Sequence, residues 1–436
     1  MKRVALFTSV IVLFLLAEAY LFYPDYESPR IVRFLVISQL MFGLSLLIYY
    51  ISRRFDFEGE QKNIFWMTIG FAIAARLIML FGAGDQFYLS DDIYRYLWDG
   101  RVSLAGINPY LHIPTAPELT ELRDSLVYPN INHSYLPTIY PPMAQNIFLL
   151  SSWVDSAGFL GFKIICAIFE LLTLFGLFYL LREYGQSRRH LLLYLFSPLI
   201  LIEFYLSAHL DILAMPFLIV GLIALHRDKP TLTGIAFALA SLVKFYGLFF
   251  IPLIFLHLKP TQRVRFASAT VITIVLLYLP YLFGNEGKFL GSLGDYLQEW
   301  QFNASIFFLL KYILALESAR LIVAGLFLMW LCWLMIRSGD IRWKLFAIFA
   351  GYLVLTPTFF PWYFVWLFPL LLLYRHPPFI YLSGSILLSY HVLIGQYSTG
   401  TWSPMIWLGL ITYLPFFGLL IWTALRTKAI EVITEK

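Results

Sequence analysis

Apolar residues in this chain come in long, nearly unbroken runs, with most polar residues confined to the gaps between them. A helix needs about 20 apolar residues to cross the hydrocarbon core of a bilayer. Runs of that kind cover 4–22, 31–51, 64–83, 158–181, 190–206, 209–226, 266–284, 318–336, 378–395 and 405–425. The pattern predicts an all-α, polytopic transmembrane helical bundle with about ten full spans. Two other stretches, 231–258 and 345–374, read as short broken hairpins, each arm having roughly a dozen residues. Lys244 lies at the apex of one, and Thr356-Pro357-Thr358-Phe359-Phe360-Pro361 at the apex of the other. Irregular backbone at membrane depth is tolerated where it is buried in protein or lines a cavity, so both apices are candidate walls of a site.

Composition narrows the class. Hydrophobic residues make up 60% and charged residues 13%, about half the usual quarter for a soluble protein. Mean hydropathy is +0.76. Those values exclude a soluble enzyme and a disordered chain. The net charge of +5 comes from scattered residues with no basic stripe, so no nucleic-acid partner is expected. Cys166 and Cys332 lie in apolar runs and form neither a disulfide framework nor a Cys/His metal cluster. Met1-Lys2-Arg3 and the apolar run behind it read as a retained signal anchor, because no convincing small-x-small cleavage site precedes Tyr23-Pro24-Asp25.

Lys and Arg concentrate in alternate loops, among them Arg53, Arg54, Arg188, Arg189, Arg263, Arg265, Arg342 and Arg375. The positive-inside rule then places both termini in the cytoplasm, most simply of a bacterial inner membrane. The two sizeable loops on the opposite side run from about Gly84 to Tyr140 and from about Asn285 to Glu317. The first holds Asp85, Asp91, Asp92, Asp99, Glu118, Glu121 and Asp124.

Near its start stands Ser90-Asp91-Asp92-Ile93-Tyr94-Arg95-Tyr96-Leu97-Trp98-Asp99-Gly100-Arg101. On a helix, Asp92 and Tyr96 share one face and Arg95 and Asp99 another. A carboxylate at a membrane exit beside aromatic walls has a tuned basicity and can take a proton from a hydroxyl. The competing reading is a solvated acidic loop with ordinary Arg–Asp pairs. Gly106-Ile107-Asn108-Pro109-Tyr110 reads as a helix stop, so Asp91 to Leu104 is expected to be one interfacial helix. Tyr140-Pro141-Pro142 starts the run 143–154, which is too short to span and is also expected at the interface.

Asp-Asp-Ile-Tyr-Arg-Tyr, Trp-Asp-Gly, Gly-Ile-Asn-Pro-Tyr and Tyr-Pro-Pro, in that order after an early span, resemble the first extracytoplasmic loop of the GT-C superfamily. The likeness is nearest to bacterial polyprenyl-phosphate-mannose-dependent mannosyltransferases, and more distant to the first mannosyltransferase of the GPI pathway. His209-Leu210-Asp211, Leu242-Val243-Lys244-Phe245-Tyr246 and Phe360-Pro361-Trp362-Tyr363 match the same group, with a weaker echo in Phe302-Asn303-Ala304-Ser305. The resemblance implies a catalytic membrane module over 63–375, flanked by transmembrane hairpins at 1–62 and 376–436. It also implies an inverting transfer of a hexose, mannose by resemblance alone. The donor would be a polyprenyl-phosphate sugar, and the acceptor a glycan or glycolipid at the extracytoplasmic face of the lipid bilayer. Asp92 is then the candidate base and Asp91 its supporting carboxylate. Two spans precede the loop's own span where many members have one. Adjacent Asp91-Asp92 replaces the Asp-x-Asp of the GPI enzyme, so no metal or other cofactor is inferred.

The leaving phosphate needs a cation near the outer face, and a Lys in an apolar run is a functional-site hypothesis by default. Lys244 is the candidate, with Arg95 or His209 as partners and Asp211, Tyr94, Trp362 and Tyr363 as further walls of the lipid-sugar site. Against this stand a snorkelling lysine and an aromatic belt. Lys163 and Arg76 are expected to snorkel, and Glu170 and Glu203 are left unassigned between a protonated and a hydrogen-bonded state. A transporter or flippase is the alternative function. It usually carries internal repeats and midplane polar residues, whereas here no repeat is visible and the acidic residues gather in one outer loop.

Overall fold

The computed structural model describes residues 2–23, 30–82, 89–156, 158–283 and 289–434. Of the residues named above, Met1, Pro24, Asp25, Gly84, Asp85 and Asn285 lie outside them. The described residues are dominated by helices and contain no strand, with one isolated β-bridge between Phe302 and Thr358. Among the described residues, eight helices are long and apolar enough to cross a membrane, and one further pair, Arg188–Leu195 and Pro198–Leu206, would do so together but bends by 53°. The chain is a multi-pass integral membrane protein of the all-α class.

Two compact units are interleaved along the sequence. The first contains Met1–Gly84, Tyr184–Ile202 and Phe359–Lys436. Its long helices include α1 (Lys2–Tyr20), α2 (Arg30–Ser52) and α3 (Lys62–Gly82). Phe7, Phe14 and Phe65 are fully buried, with Phe7 packed on Phe55 and Phe14 edge-on to Phe196. Arg76 does not snorkel: it is buried, and its Nη1 donates to Ala72 O at 2.9 Å and Leu195 O at 3.0 Å. The Leu195 carbonyl, at the break before Pro198, thus helps to satisfy a buried guanidinium. The second hairpin's descending arm, Pro361–Leu367 and Phe368–Tyr374, also lies in this unit.

The second unit contains Asp85–Glu183 and Glu203–Thr358. It is built around α4 (Asp92–Leu104), α5 (Pro142–Val154) and α6 (Leu160–Glu183). Both expected loop helices form. Pro142 sits in the first turn of α5, where a missing N–H costs nothing. Helix α4 ends at Leu104, and Gly106 adopts φ +76°, the left-handed conformation that a helix stop favours. Asn108 Oδ1 accepts from Tyr110 N at 3.0 Å while its Nδ2 donates to Tyr281 O at 3.1 Å, so this motif is a structural tie.

Helix α4 buries Ile93, Tyr96, Leu97 and Gly100, a helical stripe. Tyr96 stacks on Phe148 of α5 at 5.0 Å and tilts against Phe162 of α6 at 5.3 Å. A Cβ at Gly100 would lie 2.3 Å from both Phe148 O and Ser152 Oγ. The close helix crossing therefore requires glycine in the Trp-Asp-Gly motif. Gly100→Ala is expected to cost about 1–3 kcal/mol through overpacking against backbone. A thermal melt of the detergent-solubilised variant that matches wild type would contradict this packing.

Both short stretches form helices that are interrupted at the expected apices. Pro230–Val243 is followed by Phe245–Phe249 and Ile251–His257, and Ile341–Leu355 is followed by Pro361–Leu367. The expected spans 190–206 and 209–226 are altered. The first is bent, and the second is a shorter apolar stretch, Leu210–His226, that opens with a 3-10 turn. The first ends in a π-helical turn, Ile202–Leu206, and Ala208 between the two holds φ +52°. Lys163 is also buried rather than snorkelling.

Candidate active site

The stretch from Glu203 to Asp211 and the first loop meet within the second unit. Asp91 precedes α4 and is exposed, and Asp92 is the helix's first residue with its side chain 24% exposed. Asn132, from the Pro-rich part of the loop, donates to both: Nδ2 is 2.8 Å from Asp91 Oδ1 and 3.0 Å from Asp92 Oδ1. Tyr96 Oη donates to Asp92 Oδ2 at 3.4 Å, the i, i+4 relation expected from sequence. The backbone N–H of Asp92 donates to Ser90 Oγ at 3.3 Å.

Burial pushes the Asp92 carboxyl up from 3.8 to about 6, and the charge of Asp91 adds to the rise. The Asn132 hydrogen bond and Lys244 work in the opposite direction, and Asp211 reinforces the rise. The result is a carboxylate more basic than usual yet mostly ionised at neutral pH, as a general base requires.

Behind Asp92 stand two buried acid–base pairs. Lys244 adopts an extended backbone, φ −156° and ψ 135°, between the two arms of the first hairpin. Its Nζ donates to Asp211 Oδ1 at 3.0 Å and Oδ2 at 2.9 Å and lies 5.1 Å from the Tyr246 ring centroid. Asp211 is fully buried, while the Lys244 side chain keeps 18% of its surface. Lys244 is therefore neither an unpaired lysine nor a snorkelling one. His209, also fully buried, has Nδ1 2.8 Å from Glu203 Oε2. Its Nε2 lies 3.1 Å from Ser90 Oγ and 3.9 Å from Asp92 Oδ2. Glu170 accepts from Tyr205 Oη at 3.0 Å. Both carboxylates left unassigned by sequence thus have partners.

Arg95 does a different job. Its Nε is 2.9 Å from Asp99 Oδ1 and its Nη1 donates to Leu136 O at 3.0 Å. Asp99 also accepts from Thr138 Oγ1 at 2.5 Å and Gln145 Nε2 at 3.0 Å. This buried network ties α4 to the loop strap and to α5, and so holds the frame in which Asp92 sits. Tyr94 is half-buried against Phe159 at 5.4 Å. Trp362 and Tyr363 belong to the other unit, where Trp362 stacks on Phe360 at 4.5 Å and both are buried.

The second outer loop contributes Phe302, whose N–H donates to Pro357 O at 3.0 Å, and Ser305, whose Oγ donates to Val354 O at 2.8 Å. That motif therefore packs on the end of Ile341–Leu355 within the same unit. His133 and Trp300 lie 4.7 Å apart, so the two outer loops also touch. Among the described residues, no group of three or more His, Cys, Asp or Glu side chains is arranged to hold a metal ion. Sequence reasoning missed Asn132, Ser90 and the pairing of His209 with Glu203.

Fold and site define a multi-pass helical membrane protein with a tuned carboxylate at the start of a loop helix and buried acid–base pairs behind it. Residues 88–260 match the family model for the MptA_B family, alpha-(1->6)-mannopyranosyltransferase, N-terminal domain. The segment holds Asp91, Asp92, Asn132, Glu203, His209, Asp211 and Lys244, and the match supports the expectation of a GT-C-like mannosyltransferase. Over that segment the chain is similar to a mannosyltransferase-family domain, which supports a glycosyltransferase activity. No curated protein and no solved structure matches the chain.

Proposed function

We propose that this protein is an inverting transferase that moves mannose from a polyprenyl-phosphate donor to a glycan or glycolipid hydroxyl at the extracytoplasmic membrane face. The observation that carries the reading is Asp92: a partly exposed carboxylate raised to about 6, gripped by Asn132 and Tyr96. The outward placement rests on the Lys and Arg distribution of the loops.

In this mechanism the acceptor hydroxyl gives its proton to Asp92 as its oxygen attacks the anomeric carbon from the face opposite the phosphate. The C1–O bond to the phosphate breaks, its electron pair stays on that oxygen, and polyprenyl phosphate leaves. Asn132 holds Asp92 in place, and the charge of Asp91 raises its basicity. Lys244, steadied by Asp211, supplies positive charge as the leaving group gains negative charge. Arg95 acts in this account as a frame residue rather than a phosphate ligand.

Two readouts test it. NMR of the product should show the anomeric configuration opposite to that of the donor; retention would exclude a single displacement. Because Asp92 must be ionised to accept a proton, kcat/KM should fall tenfold per pH unit below about 6. A profile flat down to pH 4.5 would remove Asp92 from the base role.

A further inference from the structure

A base that takes a proton in each turnover has to lose it before the next. The structure sets a second titratable group against Asp92 with unusual care. Ile202–Leu206 is a π-helical turn, and Ala208 holds φ +52°, a costly conformation for a non-glycine residue. Such irregular backbone persists where its surroundings over-determine it, often at functional sites. Its effect here is to bring Glu203 and His209, six positions apart, face to face, with His209 N–H also bonded to Glu203 O at 2.8 Å. Glu203 Oε2 lies at Nδ1, which leaves the Nε2 edge towards Ser90 and Asp92.

We infer that His209, oriented by Glu203, is a positioning residue that relays the acceptor's proton away from Asp92 after sugar transfer. The inference rests on the reading of Asp92 as the base. With Glu203 Oε2 2.8 Å from Nδ1, the proton of the neutral ring is drawn to that nitrogen and Nε2 carries the lone pair. Protonated Asp92 passes its proton to Nε2 through the Ser90 hydroxyl or a water, since 3.9 Å is a distance that a bridging group closes. Asp92 returns to its carboxylate form. The imidazolium lies between the Glu203 and Asp92 carboxylates and releases its proton to water when product departs.

The charged groups around His209 fit this cycle. Asp92 faces it from α4, Glu203 and Asp211 come from its own segment, and Lys244 from the hairpin opposes the imidazolium. On α6, Glu170 is engaged by Tyr205, and Lys163 is buried. Burial, and after it Lys244, disfavours the imidazolium and keeps the proton's stay on His209 short, while Glu203 favours that stay. A donor-phosphate role for His209 would leave the Glu203 contact without a purpose, because a carboxylate behind the ring weakens its pull on an anion.

The test uses the full-length protein in liposomes, with His209→Ala and the isosteric Glu203→Gln. His209→Ala should lower kcat roughly 100-fold with the donor KM unchanged, and added imidazole should restore turnover in step with its neutral fraction. Glu203→Gln should lower kcat about tenfold and displace the pH profile of kcat from that of wild type. A raised donor KM at constant kcat would overturn the relay in favour of phosphate binding. Absence of imidazole rescue, together with a wild-type pH profile in Glu203→Gln, would overturn it in favour of a structural role. Asp92→Asn tells the two levels apart: activity in that variant sinks the base itself, whereas its inactivity leaves only the relay in question.

Discussion

Asp92→Asn should lose sugar transfer by about 1,000-fold while the protein becomes more stable. The loss follows from removing the proton acceptor bonded to both Asn132 and Tyr96, within the range that general-base groups contribute. The gain in stability follows from the same environment. Burial raises the folded-state pKa above the usual 3.8 to about 6, so the folded protein holds this carboxylate in a charged form that it disfavours. The penalty is absent below pH about 4, grows between 4 and 6, and amounts to about 3 kcal/mol above 6. Asparagine keeps the shape without the charge. Melting curves at pH 4 and pH 7.5 should therefore show a Tm gap between variant and wild type only at the higher pH. An active Asp92→Asn, or one less stable than wild type at pH 7.5, would contradict this account of the site. Such an exchange of stability for activity is common at catalytic positions.

Lys244→Met should fail twice, and a second substitution should repair only one failure. Removing the ammonium strands the Asp211 carboxylate in a fully buried position, at a cost of about 3–5 kcal/mol. Lys244→Met combined with Asp211→Asn removes that stranded charge and should recover most of the stability. Donor binding should stay weak in both, because the charge proposed to meet the phosphate is gone from both. The pair of measurements, Tm and donor KM, separates packing from recognition. If the double variant regained a wild-type donor KM, Lys244 would be a structural residue alone.

Much of the scaffold was legible in the hydrophobic pattern, because a 20-residue apolar run has few alternatives to a spanning helix. The short hairpins were legible for the same reason, from arms too short to cross. The kink in 190–206 was not. Only Ser197-Pro198 hints at it, and neither the π turn nor the left-handed Ala208 leaves a periodic signature. Within the site, the pairs set by helical spacing, Asp92–Tyr96 and Arg95–Asp99, could be read directly. Pairs set by tertiary folding could not. Asn132 reaches Asp92 across 40 positions and Lys244 reaches Asp211 across 33. Lys244 therefore looked isolated in sequence, and Arg95 looked available for phosphate, until the chain was seen folded.

The central claim is that Asp92 serves a lipid-phosphate sugar donor. Its most direct test is transfer of radiolabelled mannose by purified protein in liposomes, from polyprenyl-phosphate mannose and, in parallel, from a nucleotide-diphosphate mannose. The account predicts label in the acceptor from the lipid donor alone, lost in Asp92→Asn. Transfer from the nucleotide sugar with none from the lipid donor, or lipid-dependent transfer that survives Asp92→Asn, would contradict it.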